Sequence, residues 1–339
     1  MVSDRSLEVL RAIVQDYIAT NEPVGSKALI ERHGFQVSSA TIRNDMALLE
    51  EEELIAAPHT SSGRIPTDKG YRLFVDRLAE VKRISNVQRQ AIETFLEGSS
   101  DLDETLSRTV RLLAQLTNQV AMVQYPTLGK AKVQTIELIP ISPSRILLVL
   151  VTDSERVQEH VINLGRNIEQ DFVAELRGRL AALLIGAQLT QVEAKLNGFV
   201  AQFTSERVDS VKPVLDALVS EVDANRQEKI IMAGAANLVR SEQDFAGSIG
   251  PLLEAIEEQV VLLRLMSEMD AGNHGVGIRI GSENAAEPLS NAAIVVSGYE
   301  TAGQEIAKLG VVGPTRMDYA SNISAVRAVA RYLTKILGD

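Results

Sequence analysis

The hydrophobic period changes twice between Asp4 and Arg83, and that change restricts the first quarter of the chain to very few folds. In DRSLEVLRAIVQDYIAT, the residues Leu7, Leu10, Ile13, Val14, Tyr17 and Ile18 recur at helical spacing and form one apolar stripe. Asn21-Glu22-Pro23 stops this helix, because the residue before a proline is pushed out of the helical region. A second short helix is expected over KALIERH, with Ser26 as its N-cap and Gly34 at its end. A third is expected over ATIRNDMALLEEEE, with Ser38 and Ser39 as cap candidates. The period then shortens. Leu54-Ile55-Ala56 reads as a strand, Pro58 to Gly63 as a turn, and Arg64-Ile65 as a return strand. A helical pattern resumes from Asp68 to Arg83, with Leu73, Phe74, Arg77 and Leu78 around its face.

Three short helices followed by a hairpin is the element order of a winged helix-turn-helix. In that geometry the third helix enters the major groove by its N-terminal residues, and the hairpin reaches phosphates. At ~100° per residue the third helix buries Ile42, Met46 and Leu49 and turns Ala40, Arg43, Asn44 and Ala47 outward, with Thr41 on the flank. Arg pairs bidentately with guanine and Asn with adenine. Ser39, Thr41 and the free N–H groups of the helix start suit phosphates. His59, Thr60, Ser61, Ser62, Gly63 and Arg64 make a small, donor-rich turn, and Lys69 and Arg72 lie just beyond it. A solvated helix face capped by serines and an ordinary hairpin turn would show the same residues, so the pattern alone leaves both readings open.

The 34 Lys and Arg against 45 Asp and Glu give a formal charge of −11, which argues against a protein that coats nucleic acid. The imbalance is local: residues 1–90 hold 12 basic against 13 acidic side chains, so a DNA-reading module belongs there if anywhere. No Cys is present, which removes disulfides and thiolate metal sites. His33, His59, His160 and His274 show no ligand spacing, and no metal or cofactor is expected. No nucleophile elbow, P-loop or supported carboxylate pair appears, so an enzyme is not expected. The N-terminus carries charges where a secretory h-region is apolar, and runs such as Ile146 to Val151 are far short of the ~18–20 residues of a membrane span; a cytoplasmic protein is expected.

Residues 84–127 read as mainly helical, with a break at Gly98-Ser99-Ser100. Strand-like runs follow at 133–141, 145–152 and 156–164. A long helical stretch from Ile168 to Met269 is interrupted at 229–239 by a candidate strand, and strands return at 275–281 and 291–299. The chain closes with GVVGPTRMDY and the helix NISAVRAVARYLTKIL. Strands on either side of about a hundred mostly helical residues suggest one α+β domain that carries an insertion. GVGIRIG (Gly275, Gly277, Gly281) lacks the GxGxxG spacing and reads as a strand. In GPTRMDY, Arg316 and Asp318 suit either an anion pocket or a tight turn with a structural ion pair.

The segments PVGSKAL, SSATIRNDM, PHTSSGRIPTDKGYR, IGSEN and GVVGPTRMDY, in this order from about Leu7 to Leu337, resemble the heat-inducible transcription repressors of the HrcA type. The resemblance implies an α+β multidomain fold: a winged helix-turn-helix over 1–84, a linker helix over 85–100, a GAF-like domain over 101–167 and 251–339, and an inserted, mainly helical dimerisation domain over 168–250. It implies a cytoplasmic homodimer that binds an inverted-repeat double-stranded DNA operator and represses chaperone operons, with the chaperonin as modulator. Ser39, Thr41, Arg43, Asn44, His59, Arg64, Lys69 and Arg72 are the expected DNA contacts. The alternative is a ligand-sensing regulator whose GAF-like domain binds a small metabolite. This chain departs from the common pattern at Glu53, where a small residue or Gly is usual, at Ser62 in place of Ala, and at Ser282 in place of Glu.

Overall fold

The computed structural model describes residues 3–59, 62–77, 85–96, 101–126, 131–153, 157–167, 169–226, 229–245, 249–272, 275–301 and 304–338. Thr60, Ser61, Leu78 with the rest of its expected helix to Arg83, the break at Gly98-Ser99-Ser100, Ile168 and His274 lie outside the described residues.

Three of the four N-terminal helices start where a hydroxyl side chain closes their free end. The Ser3 hydroxyl accepts from the Ser6 N–H at the start of α1 (Asp4–Thr20), and Asn21 ends it in the left-handed region. Helix α2 (Ser26–His33) begins one residue earlier than expected: Gly25 is its cap and makes no side-chain bond, while Gly34 closes it at φ 66°. Ser38, not Ser39, caps α3 (Ser39–Glu51) by accepting from Thr41 N–H. Strand β1 (Ile55–Ala56) pairs antiparallel with β2 (Ile65–Pro66), and Val24 bridges to Arg64 as a third rung. The Thr67 hydroxyl caps α4 (Asp68–Asp76). Val9, Ile13 and Val14 of α1, Ile42 and Leu49 of α3, and Ile55 are almost fully buried; each contributes about 1.5–3 kcal/mol of apolar burial.

After α5 (Asn86–Leu96) and α6 (Leu102–Thr117) comes β3 (Val120–Gln124). The chain divides into two compact units, one of Met1–Tyr125 with Lys229–Asp339 and one of Pro126–Glu228. In the second, β4 (Val133–Ser142), β5 (Arg145–Thr152) and β6 (Val157–Asn163) form an antiparallel sheet of their own, backed by α7 (Gln170–Leu184), α8 (Leu189–Leu196) and α9 (Ser205–Arg226).

The first unit resumes with β7 (Ile230–Ala233), α10 (Ala235–Arg240), α11 (Gly250–Glu257), α12 (Val260–Glu268), β8 (Gly277–Ile280), β9 (Ala292–Thr301), β10 (Gln304–Pro314) and α13 (Tyr319–Gly338). Its sheet order is β7-β3-β10-β9-β8, all antiparallel. Both faces are covered. Ala121, Val123, Val295, Leu309 and Val311 belong to the core shared with α6, α13 and the N-terminal helices, while Val120, Met122, Ile294, Val296 and Val312 pack with α11 and α12.

The separately folded segment therefore runs 126–228, where 168–250 was expected. Among the described residues the strands at 133–163 form a sheet of their own and do not extend the sheet that holds 277–301. The expected strand at 229–239 is a strand only to Ala233, and Gly234 at φ 87° turns the chain into α10. Gln124 stands opposite Ile230, and Tyr125 N–H donates to Lys229 O at 2.8 Å, so the segment leaves and re-enters beside itself. Among the described residues no helix is long and apolar enough to cross a membrane.

Candidate nucleic-acid interface

Helix α3 presents the polar face that its periodicity requires. Ala40, Arg43, Asn44 and Ala47 are exposed, Ser39 and Thr41 half-buried, and Ile42, Met46 and Leu49 buried. The start of α3 is tied to the start of α2. The Ser26 and Ser39 hydroxyls lie 2.9 Å apart, and Arg43 Nε donates to Ser26 Oγ at 3.4 Å. Sequence reasoning gave Ser26 a capping role; in the fold it braces α3 and steadies Arg43. Lys27, exposed on the adjoining turn of α2, was not singled out by the sequence pattern.

The buried side of α3 holds a charge that periodicity placed nowhere. Asp45 is 5 % exposed. Arg5 Nε donates to its Oδ2 at 2.8 Å, Arg5 Nη2 to Oδ1 at 3.2 Å, and Ser6 Oγ to Oδ1 at 2.8 Å. Burial pushes the Asp45 carboxyl up, but the Arg5 and Ser6 hydrogen bonds with the Arg5 charge outweigh it and hold the carboxyl below its ordinary value. A second carboxylate, Asp16, fastens α2 to α1 through His33 Nε2 at 2.9 Å and Arg32 Nη1 at 3.2 Å.

The hairpin stands beside α3. Arg64 Nε donates to Glu50 Oε2 at 3.0 Å and Nη1 to Ser62 O at 3.2 Å. Ser62 Oγ accepts from His59 N–H at 3.0 Å and donates to His59 O at 2.7 Å, so serine at this position tightens the turn. A Cβ on Gly63 would lie 2.6 Å from the Pro23 carbonyl carbon and the Val24 carbonyl, which explains the glycine there. His59 is exposed. Glu53 takes φ 60°, the left-handed conformation that favours glycine. The acidic run ending α3 is not merely solvated. Glu50 pairs with Arg64, and Lys69 Nζ donates to Glu52 O at 2.8 Å and stands 3.7 Å from Glu53 Oε2, offsetting acids placed against the helix dipole.

Arg72, another of the expected contacts, is bound within the protein on several sides. Its Nε donates to Glu283 Oε1 at 2.7 Å, its Nη2 to Glu283 Oε2 and to Ile278 O at 2.8 Å, and Asp76 lies 3.5 Å from Nη1. While it holds these partners it is not free to reach a phosphate. IGSEN is thus a seat for α4. Ser282 N–H donates to Asp68 Oδ2 at 2.8 Å, and buried Asn284 Nδ2 donates to the Gly281, Leu289 and Ala292 carbonyls. Ser282 contributes its backbone to the seat, which accommodates a departure at that side chain. In GPTRMDY, Arg316 pairs with Asp244, not Asp318, and donates to Ile18 O at 2.8 Å; the turn carries a structural ion pair. Asp318 caps α13 through Ser321. The motif strings identified both segments as special, but strand and turn patterns carried no sign that they receive the N-terminal helices.

Residues 103–323 match the family described as HrcA protein C terminal domain. A heat-inducible transcription repressor HrcA from Leifsonia xyli subsp. xyli is 57 % identical over 339 residues, all of both chains. The repressors of that name from Clavibacter michiganensis subsp. michiganensis and Streptomyces avermitilis are 56 % and 51 % identical, again over the whole of this chain. A 2.2 Å crystal structure of a protein described as hypothetical superposes with a TM-score of 0.68 at 26 % identity, covering 99 % of each chain. Taken with the fold, these likenesses define a transcription repressor and not an enzyme. The chain belongs to the HrcA family of heat-inducible transcription repressors.

Proposed function

We propose that this repressor is a cytoplasmic homodimer that binds an inverted-repeat operator upstream of chaperone genes, and that residues 1–84 act as a winged helix-turn-helix. The observation that carries the reading is the outward polar face of α3, where Arg43 and Asn44 stand exposed beside a hydroxyl-rich helix start. Arg43, Asn44 and Thr41 read base edges, and Ser39, His59, Arg64 and Lys69 hold phosphates. Arg64 would leave Glu50 to do so; Arg72, held at once by Glu283, Asp76 and the Ile278 carbonyl, has more partners to give up and is left outside this set.

Two copies would present two α3 helices to the two operator halves, as two-fold symmetry requires. Support for a dimer comes from the second unit. The outward face of its sheet carries Ile139, Leu147 and Val161 in one cross-strand row and Val151 with Val157 in another, separated by a row in which Val149 lies between Glu137 and Glu159. Ile139, Val157 and Val161 are about half exposed, and exposed apolar side chains grouped beside charged ones suit an interaction surface. The five-stranded sheet with α6 and α13 supports the GAF-like reading. Modulation by the chaperonin rests on family membership.

The test is operator preference. Arg43→Ala and Asn44→Ala proteins, titrated onto a footprinted operator and a scrambled duplex, are expected to lose about 1–3 kcal/mol of discrimination each. Unchanged discrimination in both would remove α3 from the interface.

A further inference from the structure

We propose that Glu283 and Arg316 are positioning residues for operator recognition. They fix where α3 stands on its own protomer, and so set the half-site spacing that a dimer accepts. This inference rests on the α3 and dimer reading given above.

The N-terminal helices are held at two separate points. At the first, Asp68 and Arg72, one turn apart on α4, both engage the loop after β8. Ser282 N–H donates to Asp68, and Arg72 binds Glu283 through two nitrogens. The loop is shaped for this. Gly281 sits at φ 55°, and a Cβ there would come within 2.1 Å of Asp68 Oδ2, so a side chain at this position would push the Asp68 carboxylate out of its seat. Glu283 is aimed in advance, because its Oε2 also accepts from Ile280 N–H at 2.9 Å. At the second point, Arg316 donates to Ile18 O at 2.8 Å, in the last turn of α1, where carbonyls lack intrahelical donors and the dipole favours a cation. Asp244 holds Arg316 from the other side and accepts from Asn21 Nδ2 at 3.4 Å. Between the two points the rings of Tyr71 and Tyr319 meet at 5.8 Å.

One attachment would leave the N-terminal helices free to pivot; two attachments on different helices do not. Both pairs are sheltered, with side-chain exposures of 29 % and 33 % for Arg72 and Glu283 and 17 % and 21 % for Arg316 and Asp244. Loose surface pairs would hold no such geometry. Neither attachment uses Thr41, Arg43 or Asn44. The clamp therefore governs the placement of the reading face without forming part of it. Half-sites recur with the 10–10.5 base-pair turn of DNA, so a small swing of α3 changes which spacing fits.

The full-length protein and its Glu283→Gln and Arg316→Gln variants would be titrated onto three duplexes: the footprinted operator, that operator with five base pairs inserted between its halves, and a single half-site. The wild type is expected to prefer the native spacing. In the variants the ratio between the two spacings is expected to narrow about fivefold, the change that loss of roughly 1 kcal/mol produces, with half-site affinity unchanged. Exchanging the charges, Arg72→Glu with Glu283→Arg, should restore part of the ratio. Glu283→Asp, which keeps the charge but shortens the reach, replaces any variant that does not melt cooperatively. An unchanged ratio overturns the inference, as does half-site affinity that falls in step with the ratio. A wild type indifferent to spacing would bring down the two-copy reading itself, and this inference with it.

Discussion

At the scale of single residues, Asp45 shows how a buried charge makes α3 dependent on its neighbour α1. Its carboxylate accepts three hydrogen bonds from Arg5 and Ser6, which lie on α1. Asp45→Ala is expected to destabilise the first unit by about 1–3 kcal/mol, because the Ser6 hydroxyl and the Arg5 guanidinium lose the carboxylate that they share. The pH dependence follows from the direction of the shift. The folded carboxyl is held below its ordinary value, so its contribution is complete above the unfolded pKa of about 4 and fades as the pH falls through the folded one. Thermal melts of wild type and Asp45→Asn between neutral and acid pH check this: the wild type should lose the larger share of its stability below about pH 4. Equal slopes would mean that the pair adds nothing. Elsewhere, burial raises the phenol pKa values of Tyr71, Tyr299 and Tyr319, which keeps them neutral.

At the scale of elements, the contributions proposed for the hairpin and α3 are separable by salt. Arg64→Ala should weaken all duplexes alike and lower the salt slope of binding by about one unit, whereas loss of Asn44 should leave that slope unchanged. An unaltered slope would take the hairpin off the phosphates. Elements were legible in the sequence where their periodicity was clean. The stripe of α1, the outward face of α3 and the short hairpin all stand where spacing put them. Two of the three inner strands of the larger sheet, β3 and β10, were not. Val120–Gln124 is buried throughout, so its unbroken apolar run looks like the continuation of α6, and β10 is lined by glycines that weaken a strand pattern. Arg72 misled for a different reason: sequence shows that a cation follows the hairpin, but not that Glu283, over two hundred residues later, comes to meet it.

At the scale of the whole molecule, the proposed two-fold pairing is the reading with the largest leverage. Ile139→Asp with Val161→Asp places two charges in the exposed apolar row of the three-stranded sheet. Sedimentation of this full-length double variant is expected to show monomers where the wild type shows dimers, together with loss of operator binding at concentrations that saturate the wild type. A double variant that remains dimeric would move the interface elsewhere. The meeting of Gln124 with Ile230 has a consequence for biosynthesis. As the chain emerges from the ribosome, β3 waits for its outer neighbour through about a hundred further residues, which is a long loop to close. If those residues condense first around their own core, they draw their two ends together, and a remote pairing becomes a nearly local one. The detour then assists the sheet that it interrupts, and the order of synthesis becomes the order of assembly.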